Sequence, residues 1–277
     1  MAVDPITPSA RAGAFFDLDK TTIATATMFA FSSTLRDEGL LDYRLVLRAL
    51  HGRIVFKYLG ADHDRMEDMR NTALRMAKGW DQARIASLVT DAMEEVIEPI
   101  VFREALDEIA AHKAAGHPVF MVSASPEEIV RPLARHLGAD GSVSTIAQID
   151  DEGRYTGEVD FYSYGPYKVD AMEALALEYD LDLDRCYAYS DSVTDLPMLE
   201  RVGHPVAVNP DKALLKEAID RGWEIRVFEN PQPLLEARTV RAPKPSTVAS
   251  VAGAAAMGAA WWWRAQHSRA PKRPWSR

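Results

Sequence analysis

The chain has 277 residues and a net charge of −9, with 47% hydrophobic and 26% charged residues. That is apolar content enough for a sizeable core, and it excludes collagenous, low-complexity and wholly disordered chains. One cysteine, Cys186, excludes a disulfide framework or a multi-thiolate zinc centre and suits a reducing compartment. Charge is unevenly placed: from Arg238 onward there are eight basic and no acidic residues, which leaves −17 on residues 1–237. So acidic a body repels a polyphosphate backbone, and no nucleic-acid partner is expected. The opening MAVDPITPSARAG is mixed and polar, so no secretory signal is expected and a cytoplasmic location follows.

In chain order, Ala14-Phe15-Phe16 is a short, bulky, uncharged run of the kind found in buried parallel strands, and it stops at Asp17-Leu18-Asp19-Lys20-Thr21-Thr22. From Met28 to about Val96 the apolar spacing is helical, with Leu35, Leu41, Leu45, Ile54 and Tyr58 in one block and Met66, Leu74, Ile85 and Val89 in another. This predicts an inserted domain of roughly four helices, bounded by Ile97-Glu98-Pro99. An α/β rhythm follows. Helices are predicted over Ala105–Ala115, Pro126–Leu137, Tyr167–Tyr179 and Lys212–Arg221. Strands are predicted over Pro118–Ser123, Arg185–Tyr189, Pro205–Val208 and Glu224–Phe228. Thr145–Ile149 and Tyr155–Val159 flank Asp150-Asp151-Glu152-Gly153 as a hairpin. The predicted fold is a doubly wound parallel α/β core (residues 1–27 and 97–237), a helical cap (28–96) and a basic tail (238–277), with ligands at the carboxyl ends of the strands.

The chemistry-bearing residues fall at those strand ends. Asp17 and Asp19 form an i, i+2 pair after the first strand. Two such carboxylates divide into an ionised group and a proton donor if their surroundings push their pKa values apart. The plain alternative is an acidic turn, and Asp180-Leu181-Asp182-Leu183-Asp184 reads as that, a solvated loop before a strand. Ser123 ends the second α/β strand, where a hydroxyl suits either a phosphate oxygen or a helix cap. Lys168 begins a helix after Gly165-Pro166; it is placed either in solvent or to offset charge on a transferring phosphoryl group. Asp191 and Asp195 lie in Ser190-Asp191-Ser192-Val193-Thr194-Asp195, a loop suited either to a hard cation bound through oxygen or to capping the segment Leu196-Pro197-Met198-Leu199. Three strand ends in this order make a phosphoryl-transfer site.

Together these residues resemble the four motifs of the haloacid-dehalogenase superfamily of aspartate-nucleophile phosphatases: Asp17-Leu18-Asp19-Lys20-Thr21, Ser123, Lys168, and Asp191 through Asp195. The helical insertion is similar to the cap of the phosphoserine-phosphatase-like branch, and the likeness spans about residues 12–230. The resemblance implies that Asp17 is the nucleophile, forming a phosphoaspartyl intermediate, and that Asp19 is acid, then base. It implies that Thr21, Ser123 and Lys168 hold phosphoryl oxygens. It further implies that Mg²⁺ is held by Asp17, the Asp19 carbonyl and Asp191, with Asp195 ligating directly or through a neighbour. A small phosphorylated metabolite is the implied substrate.

Two departures bear on which metabolite. The branch's substrate-reading glutamate, nine residues after the nucleophile, is Ala26 here, and its Ser-Gly-Gly is Ser123-Ala124-Ser125. These changes weaken a phosphoserine assignment and leave a lysophospholipid or glycerol phosphate as an alternative. A regulatory or membrane-associated protein that keeps the fold is the alternative of another class. Among the cap cations Arg44, Arg48, Arg53 and Lys57, Arg53 is the candidate for a substrate's anionic end. Seven scattered histidines show no zinc spacing, and Cys186 reads as a buried hydrophobe. In the tail, residues 246–263 end in Trp261-Trp262-Trp263 and would extend about 27 Å as a helix. They are a candidate for spanning a membrane, for lying on anionic lipid at the inner face of the plasma membrane or for a disordered extension.

Overall fold

A computed structural model describes residues 11–40 and 71–231. Its centre is β1 (Ala14–Asp17), whose four residues are all buried. β1 pairs in parallel with β2 (Val119–Pro126) on one side and β5 (Tyr187–Ser190) on the other. The sheet has seven strands in the order β4-β3-β2-β1-β5-β6-β7, with β3 at Gly141–Ile149, β4 at Tyr155–Phe161, β6 at His204–Val208 and β7 at Glu224–Arg226. All pairings are parallel except β3 with β4, the expected hairpin, whose turn is held by Asp150 accepting from the Glu152 and Arg154 amides.

Strand alternation sends Phe15, Phe120 and Ala188 to one face and Phe16, Met121 and Tyr189 to the other. The first face packs on α6 (Pro166–Tyr179), α7 (Leu196–Glu200) and α8 (Lys212–Arg221) through Met172, Met198, Leu199 and Leu214. The second packs on α4 (Arg103–Ala114) and α5 (Glu127–His136) through Ile109, Ile129 and Leu133. Helices on both faces make the sheet doubly wound. The chain order turns back at β1, which puts a ligand crevice at the carboxyl ends of β1, β2 and β5.

The insertion is helical where it is described: α1 (Thr27–Ala30), α2 (Ser32–Asp37), a helical stretch over 71–77, and α3 (Gln82–Asp91), followed by a π-turn at Met93–Ile97. α3 is capped by Asp81 and buries Ile85 and Val89 in the same apolar cluster as Ile129 and Leu133 of the core. Main-chain bonds tie its approach to the hairpin: Gly79 N–H donates to Tyr155 O, Tyr155 N–H to Trp80 O and Gln82 N–H to Gly153 O. This part of the insertion therefore shares the core's hydrophobic cluster. Arg44, Arg48, Arg53 and Lys57, like residues 238–277 with the 246–263 segment, lie outside the described residues. Among the described residues no helix is long and apolar enough to cross a membrane.

Several strand boundaries differ from the sequence expectation; β3 begins at Gly141, four residues before Thr145, where it pairs with Phe120, and β4 runs on to Phe161, opposite Ile146. β2 continues past Ser123 to Pro126 because a register shift after Val122 lets Pro126 pair with Thr145. β5 begins at Tyr187, since Asp182 caps a 3₁₀ turn over Leu183–Arg185 that uses up the residues before it. Cys186 thus precedes the strand, fully buried, with its sulfur accepting the Gly13 amide at 3.1 Å. β7 ends at Arg226, two residues early.

Candidate active site

Asp17 closes β1 in register with Val122, so that Ser123 lies one residue beyond it on β2, and Ser190 ends the neighbouring β5 beside Asp191. The chain then turns sharply. Lys20 adopts a left-handed φ of 64°, the Thr22 and Ile23 amides both donate to Leu18 O, and the Thr22 hydroxyl donates to Asp17 O at 2.7 Å. The Asp17 carboxylate is thereby fixed at the mouth of the crevice. Its Oδ1 accepts from Lys168 Nζ at 2.8 Å and its Oδ2 from Thr21 Oγ1 at 3.3 Å.

Lys168 sits on the first turn of α6, entered through Gly165 at φ 54° and Pro166. Its side chain is only 3% exposed, which decides against the solvent alternative. The ammonium also meets Asp195, at 2.8 Å to Oδ1 and 2.9 Å to Oδ2, and Asp195 Oδ2 accepts from Ser190 Oγ at 2.8 Å. Burial works to discharge Lys168, but Asp17 and Asp195 outweigh it and hold its pKa above the ordinary lysine value. Both Asp195 oxygens are thus engaged in fixing the ammonium.

Asp19 is held elsewhere. Its Oδ1 accepts the Thr27 amide at 2.8 Å, and its Oδ2 faces Ser125 Oγ at 3.1 Å and Thr27 Oγ1 at 3.5 Å. Burial raises its pKa against those hydrogen bonds. Asp191 is buried beside Lys20, whose Nζ lies 3.7 Å away. Burial, then Asp195 and Asp211, push it up to about 6 against the pull of Lys20. Asp17 is likewise raised, by burial and by Asp195 and Asp191, against Lys168.

Such crowding is an electrostatic deficit: Asp17, Asp19, Asp191 and Asp195 are mostly buried around one buried ammonium and one exposed lysine. A hard divalent cation with oxygen ligands relieves it, so the donor set fits Mg²⁺. Among the described residues no three His, Cys, Asp or Glu side chains are placed to hold a metal unaided. A cation here would have to draw on fewer than three side chains and complete its shell with main-chain and ligand oxygens, as Mg²⁺ sites do.

The floor of the crevice is braced. Ser123 is buried and its Oγ accepts the Ser125 amide at 3.1 Å; Thr145 Oγ1 donates to Ala124 O and accepts from the Ser163 amide, joining β2 to the loop that leads to Lys168. Ser163 Oγ is buried without a hydrogen-bond partner. Asp211 braces the other side: its amide donates to Asp191 O at 2.7 Å and its Oδ2 accepts the Val193 amide at 3.1 Å.

The structure therefore brings Asp17, Thr21, Lys168 and Asp195 into direct contact and sets Ser123, Asp19 and Asp191 at the same end of the sheet. Arg53 lies outside the described residues. Ser125, Thr27, Ser190 and Asp211 are the participants missed by sequence reasoning. The repeated serine in Ser123-Ala124-Ser125 was a visible hint for the first of them; Thr27 and Asp211 carry no spacing signal.

A doubly wound sheet with an acidic first strand end, a buried lysine and an acidic loop after β5 defines a class of hydrolase. The family model of haloacid dehalogenase-like hydrolases matches residues 14–200, and the chain belongs to that family. It is similar to a probable phosphatase of Mycobacterium tuberculosis (49% identical over 251 residues, 91% of this chain and 85% of that one). The "inhibition of morphological differentiation protein" of Streptomyces azureus is 45% identical over 263 residues, 94% and 95% of the two chains. A Mycobacterium tuberculosis protein named phosphoserine phosphatase SerB1 is 34% identical over 252 residues, 90% and 79%. Among solved structures, an apo phosphoserine phosphatase shares the fold with a TM-score of 0.56 at 18% identity, over 80% of this chain and 95% of that one. The chain is an enzyme of this hydrolase family.

Proposed function

We propose that the chain hydrolyses the phosphate monoester of a small metabolite in a Mg²⁺-dependent reaction through a phosphoaspartyl intermediate on Asp17. The observation that carries this reading is Asp17 at the end of β1, oriented at 2.8 Å by a buried lysine that Asp195 holds from the other side. A carboxylate oxygen of Asp17 attacks phosphorus, the ester P–O bond breaks, and the leaving oxygen takes a proton from Asp19. Asp19, now ionised, takes a proton from water as its oxygen attacks phosphorus, and the bond to Asp17 breaks, releasing phosphate. Thr21, Ser123 and Lys168 steady the phosphoryl oxygens. Asp17, Asp191 and the Asp19 carbonyl would hold Mg²⁺, which would supply neutralisation of phosphoryl charge. Asp195 acts on it only indirectly, through Lys168.

The relatives named phosphatase support the chemistry. Ala26, half-buried where the branch carries a glutamate, favours a leaving group without an amine, such as glycerol 3-phosphate or a lysophospholipid, over phosphoserine. Arg53 is the proposed contact for the substrate's anionic end. The test is phosphate release by the full chain from phosphoserine, glycerol 3-phosphate and lysophosphatidate, with Mg²⁺ or EDTA, beside Asp17→Asn. Metal-dependent turnover lost in the variant supports the reading. A folded protein silent on every ester, p-nitrophenyl phosphate included, overturns it. The Streptomyces relative's name gives a regulatory reading its footing, and Asp17→Asn decides there too: full biological function without the nucleophile favours regulation.

A further inference from the structure

We propose that Thr27 and Ser125 form a positioning pair that fixes which oxygen of Asp19 carries the proton given to the leaving group. The inference rests on the phosphatase reading above and concerns residues to which nothing in the four motifs assigns a role. Thr27 is the first residue of α1, where the chain leaves the core for the insertion, and Ser125 lies in the shifted end of β2; they are 98 residues apart and both buried. Their hydroxyls meet at 2.7 Å.

The assignment follows from which partners can reverse. The Thr27 amide donates to Asp19 Oδ1 at 2.8 Å and, as an N–H, can only donate. Oδ1 is therefore an acceptor in every state, and an acidic hydrogen on Asp19 must sit on Oδ2. Oδ2 faces Ser125 Oγ at 3.1 Å, and a hydroxyl can turn. With Asp19 ionised, Ser125 donates to Oδ2 and Thr27 donates to Ser125. With Asp19 protonated and no ester in reach, Oδ2–H donates to Ser125 Oγ, whose own hydrogen turns to Thr27 Oγ1; when the ester oxygen arrives the acidic hydrogen swings to it and Ser125 donates to Oδ2 again. The bond between Ser125 and Asp19 survives both states, so the carboxyl keeps one orientation as the proton leaves for the ester oxygen and returns from water. A glycine where Ser125 stands would offer no such partner. Neither residue is given a bond to substrate; both act through Asp19.

Leaving-group dependence tests this. An alkoxide needs the proton from Asp19 to depart, whereas p-nitrophenolate leaves largely without it. kcat/KM reports the steps through leaving-group departure, so Ser125→Ala and Thr27→Val should lower it on glycerol 3-phosphate, or whichever alkyl ester the wild type prefers, by about 10²-fold, the lower end for general-acid catalysis. On p-nitrophenyl phosphate the fall should be no more than about 3-fold, while kcat falls on both esters because water attack on the shared intermediate also uses Asp19. Thr27→Ser, which keeps both donors, should restore near-wild-type selectivity. Equal losses of kcat/KM on the two esters would reduce the pair to a packing role, and no loss on either would overturn the proposal. If Ser125→Ala misfolds, the contrast between Thr27→Ser and Thr27→Val decides the matter. Failure of the phosphatase reading looks different, since the wild type itself would then be inactive on p-nitrophenyl phosphate.

Discussion

The molecule contains the same acid-Leu-acid tripeptide in two settings. In Asp17-Leu18-Asp19 the leucine is buried and both carboxylates are buried or nearly so, with pKa values pushed up. In Asp182-Leu183-Asp184 the leucine is buried as well, yet Asp182 caps a 3₁₀ turn and the Asp184 side chain is 91% exposed, 3.9 Å from Arg201. Spacing is identical and the central anchor is the same. What differs is the end of the strand. The first tripeptide begins at the carboxyl end of central β1, where the sheet's two halves diverge; the second precedes the amino end of β5. Chemistry here belongs to the place in the sheet more than to the tripeptide.

Substitutions should separate the two sharply. Asp17→Asn should lower turnover by about 10⁴-fold or more, as loss of a covalent nucleophile does, and Asp184→Asn should leave it within about 2-fold; phosphate-release assays on both variants decide. Next in size is Lys168→Met. It strips the shared cation from Asp17 and Asp195, and breaking a buried pair from one side costs about 3–5 kcal/mol, readable in a urea titration.

Burial acts on a base elsewhere, on a helix packed against the sheet, and there pH is the probe. His112 of α4 is buried against Phe16, its Nε2 2.8 Å from Tyr189 Oη and its Nδ1 3.1 Å from His117 Nδ1. Burial, then His117 and Arg226, push its pKa down to about 4. The unfolded chain therefore binds the extra proton first as pH falls. The histidine's contribution to stability is complete above about 6.5 and is lost progressively between 6.5 and 4. Thermal midpoints should fall more steeply from pH 7 to pH 5 in the wild type than in His112→Leu; parallel slopes would refute this. Smallest is Asp182→Ala, which removes a cap and should cost about 1 kcal/mol with activity intact, by thermal melts and the same assay.

Much of the architecture was legible because alternation and helical period are local properties: β1, α6, α8 and the turn of the β3–β4 hairpin fall where the pattern puts them. Boundaries slipped where a distant strand decides them, as when Thr145 draws β2 on to Pro126. In the site, Asp17 and Lys168 are 151 residues apart, and only the order of motifs at successive strand ends announced their meeting. Thr27 had no such announcement, and Ser125 only its repetition of Ser123. Their partnership is made by the register shift in β2 and by the point at which α1 begins. The pairing of His112 with His117 escaped for a similar reason, because it depends on how the end of α4 turns back towards β2.

Asp17 is the residue proposed to carry the phosphoryl group. Full-length protein turning over p-nitrophenyl phosphate with Mg²⁺, quenched in acid and analysed by peptide mass spectrometry, reads that directly. One phosphoryl increment is expected on the peptide containing Asp17, released by hydroxylamine and absent from Asp17→Asn. Steady turnover with that peptide unmodified and the increment on another residue would contradict it.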